Sequence, residues 1–419
     1  MKVYGSLKVP GDKSISHRSL IFGALAHGTS RVTSVLQSAD VHSTAGVLRA
    51  LGVRVPELSS DMTVHGVGRA GMSQPAHDLD CGNSGTTTRL MAGVLAALPI
   101  STTLVGDASL SRRPMRRVAR PLEAMGARVT LPVHHGLPMT IHGGALHEID
   151  WTSEVASAQI KSAVLLAALV AGVRASVTEP ARSRDHTERM LAARGARIEV
   201  SGNRVEILPG SDLEPTETAV PGDPSSAAFF AALAALADEG DLRLKGVCVN
   251  PTRIGFLEQL GRVGASVVLE NQRSEGGEEV ADIVVSPRRL RAATVTHADV
   301  PAMVDEIPML ACLATRAEGE TVITGANELR VKESDRIAAV VTNLRAIGAH
   351  ADELPDGMRI RGSDAPLKGR IVTHGDHRLA MAFGVLGAAR GNSIELDDRD
   401  CVAVSYPGFW SDLTRAHSA

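Results

Sequence analysis

The apolar positions of this chain return in one phrase. Leu48-Arg-Ala-Leu-Gly52-Val-Arg-Val55 is echoed by Leu122-Glu-Ala-Met-Gly126-Ala-Arg-Val129 and by Leu191-Ala-Ala-Arg-Gly195-Ala-Arg-Ile198. It returns again as Leu260-Gly-Arg-Val-Gly264-Ala-Ser-Val267 and as Leu344-Arg-Ala-Ile-Gly348-Ala-His-Ala351. Each copy reads as an amphipathic helix that ends at a glycine C-cap, with a strand beginning almost at once. The copies lie about 70–85 residues apart, longer than the repeats of common solenoids, so each marks a small α/β unit. A sixth, degenerate copy is expected around residues 381–396. Strand signals flank the helices: Met62-Thr-Val-His65, Met139-Thr-Ile-His142, Arg204-Val-Glu-Ile207 and Asp282-Ile-Val-Val285 alternate or run β-branched. Six βα-rich units divide most simply into two domains of three. Val220-Pro-Gly-Asp-Pro224 is a turn-rich boundary near mid-chain. The expected domains are residues 1–12 with 222–419, and residues 13–221, with the site in the cleft between them.

Composition narrows the function. Net charge is −3 and no long run of Lys or Arg occurs, which argues against a nucleic-acid binder, and aromatic residues are only 2% of the chain. The core must therefore be built from Val, Leu, Ile and Ala. Cys81, Cys248, Cys312 and Cys401 lie far apart with no C-x-x-C pair, so neither a disulfide scaffold nor a zinc ribbon is expected, and a reducing cytosol fits. No apolar signal core precedes the charged segment at residues 11–18, so no targeting peptide is expected and the location is read as cytoplasmic. The uncharged stretch at residues 162–173 is too short to cross a bilayer and reads as a buried helix.

Chemistry gathers at helix starts. Residues 11–18 read GDKSISHR: Asp12 is placed to cap a helix that carries Lys13, Ser14 and Arg18. Free N–H groups, the helix dipole and two cations together suit an anion. The theme recurs in Gly82-Asn-Ser-Gly-Thr-Thr-Thr88-Arg89, and in Ser111-Arg-Arg-Pro114, where the proline is expected at a first helical position. It recurs again in Ser157-Ala-Gln-Ile-Lys-Ser162, in Arg182-Ser-Arg-Asp-His-Thr-Glu188 with an Asp185/Glu188 capping box, in Arg330-Val-Lys-Glu-Ser-Asp-Arg336 and in Asp376-His-Arg378. Singly, each has a structural explanation: Asn83-Ser84 and Asp185/Glu188 cap, Arg112, Arg116 and Arg117 are solvated, Arg330 and Asp335 pair, and His17 and His377 pack. Together they favour substrates with more than one anionic group.

Two carboxylates stand apart. Asp305 lies in an apolar segment, where a carboxylate can hold a raised pKa, and Glu333 sits beside Lys332, with which it can exchange a proton. The alternative is that Asp305-Glu306 cap the following helix. Gly66-Val-Gly-Arg-Ala-Gly71 matches G-x-G-x-x-G but reads as a loop, because no helix opens after it. No P-loop, H-E-x-x-H, clustered His/Cys set or G-x-S-x-G elbow occurs, so no metal is expected.

These segments, in this order, resemble the 5-enolpyruvylshikimate-3-phosphate (EPSP) synthases: GDKSISHR, GNSGTTTR, SRRPM, SAQIKSA, SRDHTE, PGDPSSA, VDEIPML, RVKESDR and GDHRLAMA span nearly the whole chain. The resemblance implies two inside-out α/β barrel domains, each of three βαβαββ repeats. It implies transfer of the enolpyruvyl group of phosphoenolpyruvate to the 5-hydroxyl of shikimate 3-phosphate by addition and elimination, in a cytoplasmic monomer without cofactor, metal, nucleic-acid or membrane partner. By that likeness Lys13 meets both substrates. Ser14, Arg18, Ser157, Ala158, Gln159, Arg184, Asp305 and Lys332 hold shikimate 3-phosphate. Asn83, Gly85, Arg113, Gln159, Arg336 and Arg378 hold phosphoenolpyruvate. Asp305 is the carboxylate on the attacking hydroxyl, Glu333 the proton donor to the methylene, and Lys13 completes the catalytic set. Glu328 and Val404 depart from the family's first class, which has asparagine and a substrate-binding lysine there, while SAQIKSA and RDHTE resemble the second class. The family is the target of glyphosate, and Gly85, small as in sensitive members, implies a sensitive or intermediate enzyme. A related transferase acting on UDP-N-acetylglucosamine shares the fold, but usually carries a reactive cysteine near the position of Arg113. Residues 106–120 here have none. A non-catalytic polyanion or RNA binder is the rival from another class, opposed by the charge and the few aromatics.

Overall fold

The phrase glycines adopt the backbone that their role requires: φ is 87° at Gly52, 110° at Gly126, 88° at Gly195, 110° at Gly264 and 90° at Gly348. In every copy the amide after the glycine donates to the carbonyl of the leucine that opens the phrase. Val53 bonds Leu48 at 3.0 Å, Ala127 bonds Leu122 at 3.0 Å, Ala196 bonds Leu191 at 3.0 Å, Ala265 bonds Leu260 at 3.1 Å and Ala349 bonds Leu344 at 2.9 Å. This closure satisfies a helix-end carbonyl while the leucine side chain, fully buried in all five, anchors the last turn in the core.

The structure is a computed structural model that describes residues 1–210, 212–389 and 391–417. The chain forms two compact units, Gly11–Val220 with Glu275–Glu278, and Met1–Pro10 with Pro221–Ser274 and Glu279–Ala419.

In the Gly11–Val220 unit, one sheet sets Ile149–Thr152 parallel to Ala175–Thr178, which pairs antiparallel with Arg204–Ile207 and so leads to Ile198–Ser201. Leu79–Asp80, Ser101–Val105, Met139–His142 and Arg128–Thr130 repeat the same order. The remaining sheet joins Glu217–Ala219, His27–Thr33 and Asp61–Val67, and its missing fourth strand shrinks to a bridge between Arg54 and His65. Helices Lys13–Leu25, Gly85–Ala96 and Ala158–Ala171 are buried almost all round, so they fill the centre while the sheets face outward on one side. Gly93 permits the closest helix contact, since a Cβ there would stand 2.2 Å from the Ala163 carbonyl oxygen.

The other unit repeats this order in Lys2–Leu7, Glu239–Cys248, Glu278–Ser286 and Ser266–Glu275, and again in Thr294–Val295, Glu320–Ile323, Gly357–Arg361 and His350–Leu354. Its last copy is the degenerate one: among the described residues, Lys368–Ile371 pairs only with Ser393–Leu396. Helix Pro224–Ala235 is buried at every residue, and Ile307–Ala314 and His377–Ala388 are also central. Half of the chain's ten aromatics gather here: Phe229, Phe230, Tyr406, Phe409 and Trp410 meet with ring centroids 4.9 to 5.9 Å apart. Among the described residues, no helix is long and apolar enough to cross a membrane.

Candidate active site

In the Gly11–Val220 unit, the Asp12 carboxylate caps helix Lys13–Leu25 by accepting from the Ile15 amide at 2.8 Å. Lys13 Nζ lies 2.9 Å from Asp40 at the start of the next helix, and Ser14 is half-buried beside it. Arg18 is buried. Its Nε donates to Thr187 Oγ1 at 2.7 Å, one terminal nitrogen to Ser162 Oγ at 3.0 Å and the other to the Ser14 carbonyl at 3.0 Å. Ser162 donates to the Ala158 carbonyl, so the 2.6 Å bond between the Ser162 and Thr187 hydroxyls runs from threonine to serine. Burial pushes the Arg18 pKa down to about 10, which still leaves it charged at neutral pH. Arg184 lies near enough to oppose that charge. Burial also lowers His17 to about 3, and its Nδ1 meets Thr44 Oγ1 at 2.6 Å, so it is a neutral packing residue.

A second group lies in the same unit. Arg113 donates to Asn83 Oδ1 at 2.7 Å, and Asn83 Nδ2 donates to Asp107 at 2.6 Å. Gln159 accepts from Arg89 at 2.9 Å and donates to Thr86 Oγ1 at 3.1 Å, which ties the start of helix Ala158–Ala171 to helix Gly85–Ala96. Pro114 does not open a helix: Asp107 caps the short helix Ala108–Ser111, the chain turns at Arg113-Pro114, and the next helix is Arg116–Ala124. That turn is what sends Arg113 back to Asn83, while Arg112 and Arg116 are exposed.

The Asp185/Glu188 capping box is also absent. Asp185 stands at the cap position of His186–Ala192, but its carboxylate bonds Arg182 at 2.9 Å and Arg189 at 3.0 Å. Glu188 turns inward, 2.8 Å from Lys161 Nζ, which Glu179 also meets at 2.8 Å. A buried cation on the neighbouring helix outcompetes a local cap.

In the other unit, Asp305, Lys332, Glu333, Arg336 and Arg378 come together. Asp305 Oδ1 lies 3.4 Å from Arg336 and 3.5 Å from Lys332, and Oδ2 lies 3.8 Å from Arg378, which also donates to the Asp305 carbonyl at 3.1 Å. Glu333 meets Arg336 at 2.7 Å. Neither Asp305 nor Glu306 caps helix Ile307–Ala314: Glu306 is buried, accepts from Ser225 Oγ and lies 3.5 Å from Arg378. Sequence reasoning gave Asp376 no role at the site. It caps His377–Ala388 through the Arg378 amide and accepts Arg336 Nε at 2.8 Å, and its only local signal was an aspartate just before an apolar helix. Burial alone would depress the Arg336 pKa, but Asp376, Glu333 and Asp305 together raise it. Val404, in the turn Asp400–Val404, supplies no cation, and Glu328 lies in the turn Asn327–Val331.

The thiols are quiet. Burial pushes Cys81 and Cys401 up to about 12 and raises Cys312 further still. Iodoacetamide at pH 7.5 is expected to leave activity above about nine-tenths over an hour, since these thiols are protonated there. Rapid loss of turnover would show a reactive cysteine that this burial does not allow.

The EPSP synthase (3-phosphoshikimate 1-carboxyvinyltransferase) family model matches residues 1–413. A 3-phosphoshikimate 1-carboxyvinyltransferase of Sulfurihydrogenibium sp. (strain YO3AOP1) is 48% identical over 419 residues, covering 99% of this chain and 97% of that protein. Its counterpart in Xanthomonas oryzae pv. oryzae (strain PXO99A) is 50% identical over 407 residues, covering 97% and 92%. An EPSP synthase structure from Acinetobacter baumannii superposes with TM-score 0.88 at 43% identity, covering 99% and 96% of the two chains. The enolpyruvyl transferase NikO of Streptomyces tendae, 18% identical over 99% and 95%, shares the fold with TM-score 0.77. With the repeat order, the cation-rich helix starts and these likenesses in agreement, the chain belongs to the EPSP synthase family, the 3-phosphoshikimate 1-carboxyvinyltransferases.

Proposed function

We propose that the residue clusters of the two units divide between them the work of one reaction. The enzyme transfers the enolpyruvyl group of phosphoenolpyruvate to shikimate 3-phosphate. In this reading Lys13, Ser14, Arg18, Ser157, Ala158, Gln159, Arg184 and Lys332 hold shikimate 3-phosphate. Asn83, Gly85, Arg113, Gln159, Arg336 and Arg378 hold phosphoenolpyruvate, with Lys13 touching both.

The observation that carries the reading is Asp305 and Glu333 set around one buried arginine, Arg336, with Lys332 and Arg378 close by. Asp305 takes the proton of the attacking 5-hydroxyl as its oxygen bonds to C2 of phosphoenolpyruvate, and Glu333 delivers a proton to the methylene carbon. In the resulting tetrahedral adduct the roles reverse. The methyl group returns a proton to Glu333, the C–O bond to phosphate breaks, and phosphate leaves with a proton from the opposite side. The cations hold the negative charge that shifts between carboxylate and phosphate. The chemistry needs proton carriers and fixed cations, and no metal or organic cofactor enters it. The absence of a disulfide among the described residues supports a cytoplasmic setting, and in this reading the enzyme works as a monomer. Phosphate release from phosphoenolpyruvate should depend on added shikimate 3-phosphate. Release without it, or release with UDP-N-acetylglucosamine in its place, would overturn the assignment.

Gly85 gives a sharper test of the phosphoenolpyruvate contacts. A Cβ there would stand 2.5 Å from an Arg89 terminal nitrogen and 3.5 Å from one of Arg113. Gly85→Ala must therefore push Arg89 off Gln159, and the KM for phosphoenolpyruvate should rise about tenfold, worth about 1.4 kcal/mol. Inhibition by glyphosate, expected in the wild type near the KM for phosphoenolpyruvate, should weaken at least as much. An unchanged KM would remove Gly85 from that site.

A further inference from the structure

Lys161, Glu179 and Glu188 form a charge cluster that the reaction above does not use. Their side chains are 2%, 2% and 4% exposed, and both carboxylates lie 2.8 Å from the lysine Nζ. A buried cluster of this kind is costly to desolvate, and apolar residues of similar size would often be as stable, so it calls for another explanation. Its neighbours supply one. Glu179 accepts from the Ser157 amide at 2.7 Å, and both its oxygens accept from Ser183 Oγ at 2.8 Å, next to Arg184. Lys161 precedes Ser162 and Glu188 follows Thr187, the two hydroxyls that seat Arg18. Lys161 thus clamps helix Ala158–Ala171 to helix His186–Ala192 and sets the spacing into which the Arg18 guanidinium fits.

We infer that Lys161, Glu179 and Glu188 are positioning residues for shikimate 3-phosphate, with Glu179 holding Ser157 and the Arg184 loop and Lys161 holding the Arg18 seat. This rests on the reading of Ser157, Arg18 and Arg184 as contacts of that substrate. The lysine stays charged: burial acts to lower its pKa, but the two carboxylates more than offset this and raise it.

The test is steady-state kinetics on the full-length enzyme. In Glu179→Gln an amide nitrogen must face a donor, either the Ser157 N–H or Lys161. The KM for shikimate 3-phosphate should rise about tenfold or more, with kcat within about threefold and the KM for phosphoenolpyruvate within about twofold. Lys161→Arg should retain most of the wild-type affinity. If Glu179→Gln fails to fold, Ser183→Ala keeps every charge and removes one donor to Glu179, and should raise the same KM about threefold. A fall in kcat and melting temperature with the KM for shikimate 3-phosphate unchanged in both variants would make the cluster merely structural and overturn the inference. Arg18→Lys is the control for the underlying reading. If it leaves that KM unchanged, the substrate assignment itself fails, whereas a raised KM there with unaltered Glu179→Gln and Ser183→Ala sinks only the positioning role.

Discussion

Glu333→Gln should lower kcat about 10²- to 10⁴-fold while shikimate 3-phosphate binds within about threefold of the wild type. The amide has the size of the carboxylate and can still accept from Arg336, now 2.7 Å from Glu333, so the site keeps its shape. It cannot carry a proton to the methylene carbon or take one back. In deuterated water the variant should therefore also fail to exchange the methylene hydrogens of phosphoenolpyruvate, a step that substrate binding alone does not supply. Asp305→Asn should show a loss of the same order from the hydroxyl side, because Asp305 is the carboxylate that Lys332, Arg336 and Arg378 surround. Its arginine partners would then face a neutral oxygen, so some loss of phosphoenolpyruvate affinity is expected with it. A Glu333→Gln enzyme that keeps more than a tenth of wild-type kcat, or that exchanges methylene hydrogens at the normal rate, would remove Glu333 from proton transfer.

The parts of this site that could be read from sequence are those fixed by contacts close in the chain. A leucine and a glycine four residues on define a helix end, because the closing hydrogen bond joins the leucine to the residue just after the glycine, as Ala265 to Leu260 shows. Asp12 as a cap needed only Ile15. Misreadings arose where a distant partner competed with a near one. Glu188 has the spacing of a capping box, yet Lys161 lies 27 positions earlier and takes its carboxylate into the core. Asp305-Glu306 precede a helix and read equally well as caps, but Arg378, Lys332 and Ser225 draw their side chains elsewhere. Pro114 reads as a first helical residue, whereas the capped turn at Asp107 fixes where the chain can restart. The charged groups of these segments are thus legible in the sequence but their pairing is not, because only the packing of the repeats decides it.

Asp376→Ala should produce the largest loss of stability. The carboxylate is fully buried and accepts from Arg336 at 2.8 and 3.2 Å, from Ser334 Oγ at 3.0 Å and from the Arg378 amide at 3.0 Å. Its removal leaves buried Arg336 with only Glu333 and the longer contact to Asp305, a loss of about 3–5 kcal/mol, and the lost cap adds about 1 kcal/mol. For a folding unit of this size the melting transition should fall by about 8–24 °C. The effect has a definite pH sign. Burial alone would raise the Asp376 pKa, but Arg336 holds it below the usual carboxylate range. A group whose pKa is depressed by folding contributes stability that is full above the unfolded value, about 3.9, and is lost as pH falls through the folded one. The gap in urea midpoint between wild type and Asp376→Ala should thus be wide and constant from pH 5 to 7 and narrow steadily below about pH 4. The proposed proton carriers should suffer in step, since Asp376 fixes the arginine around which Asp305 and Glu333 are arranged. A variant as stable as the wild type at pH 7, or a gap that widens in acid, would mean that Arg336 does not depend on Asp376 for its charge partner.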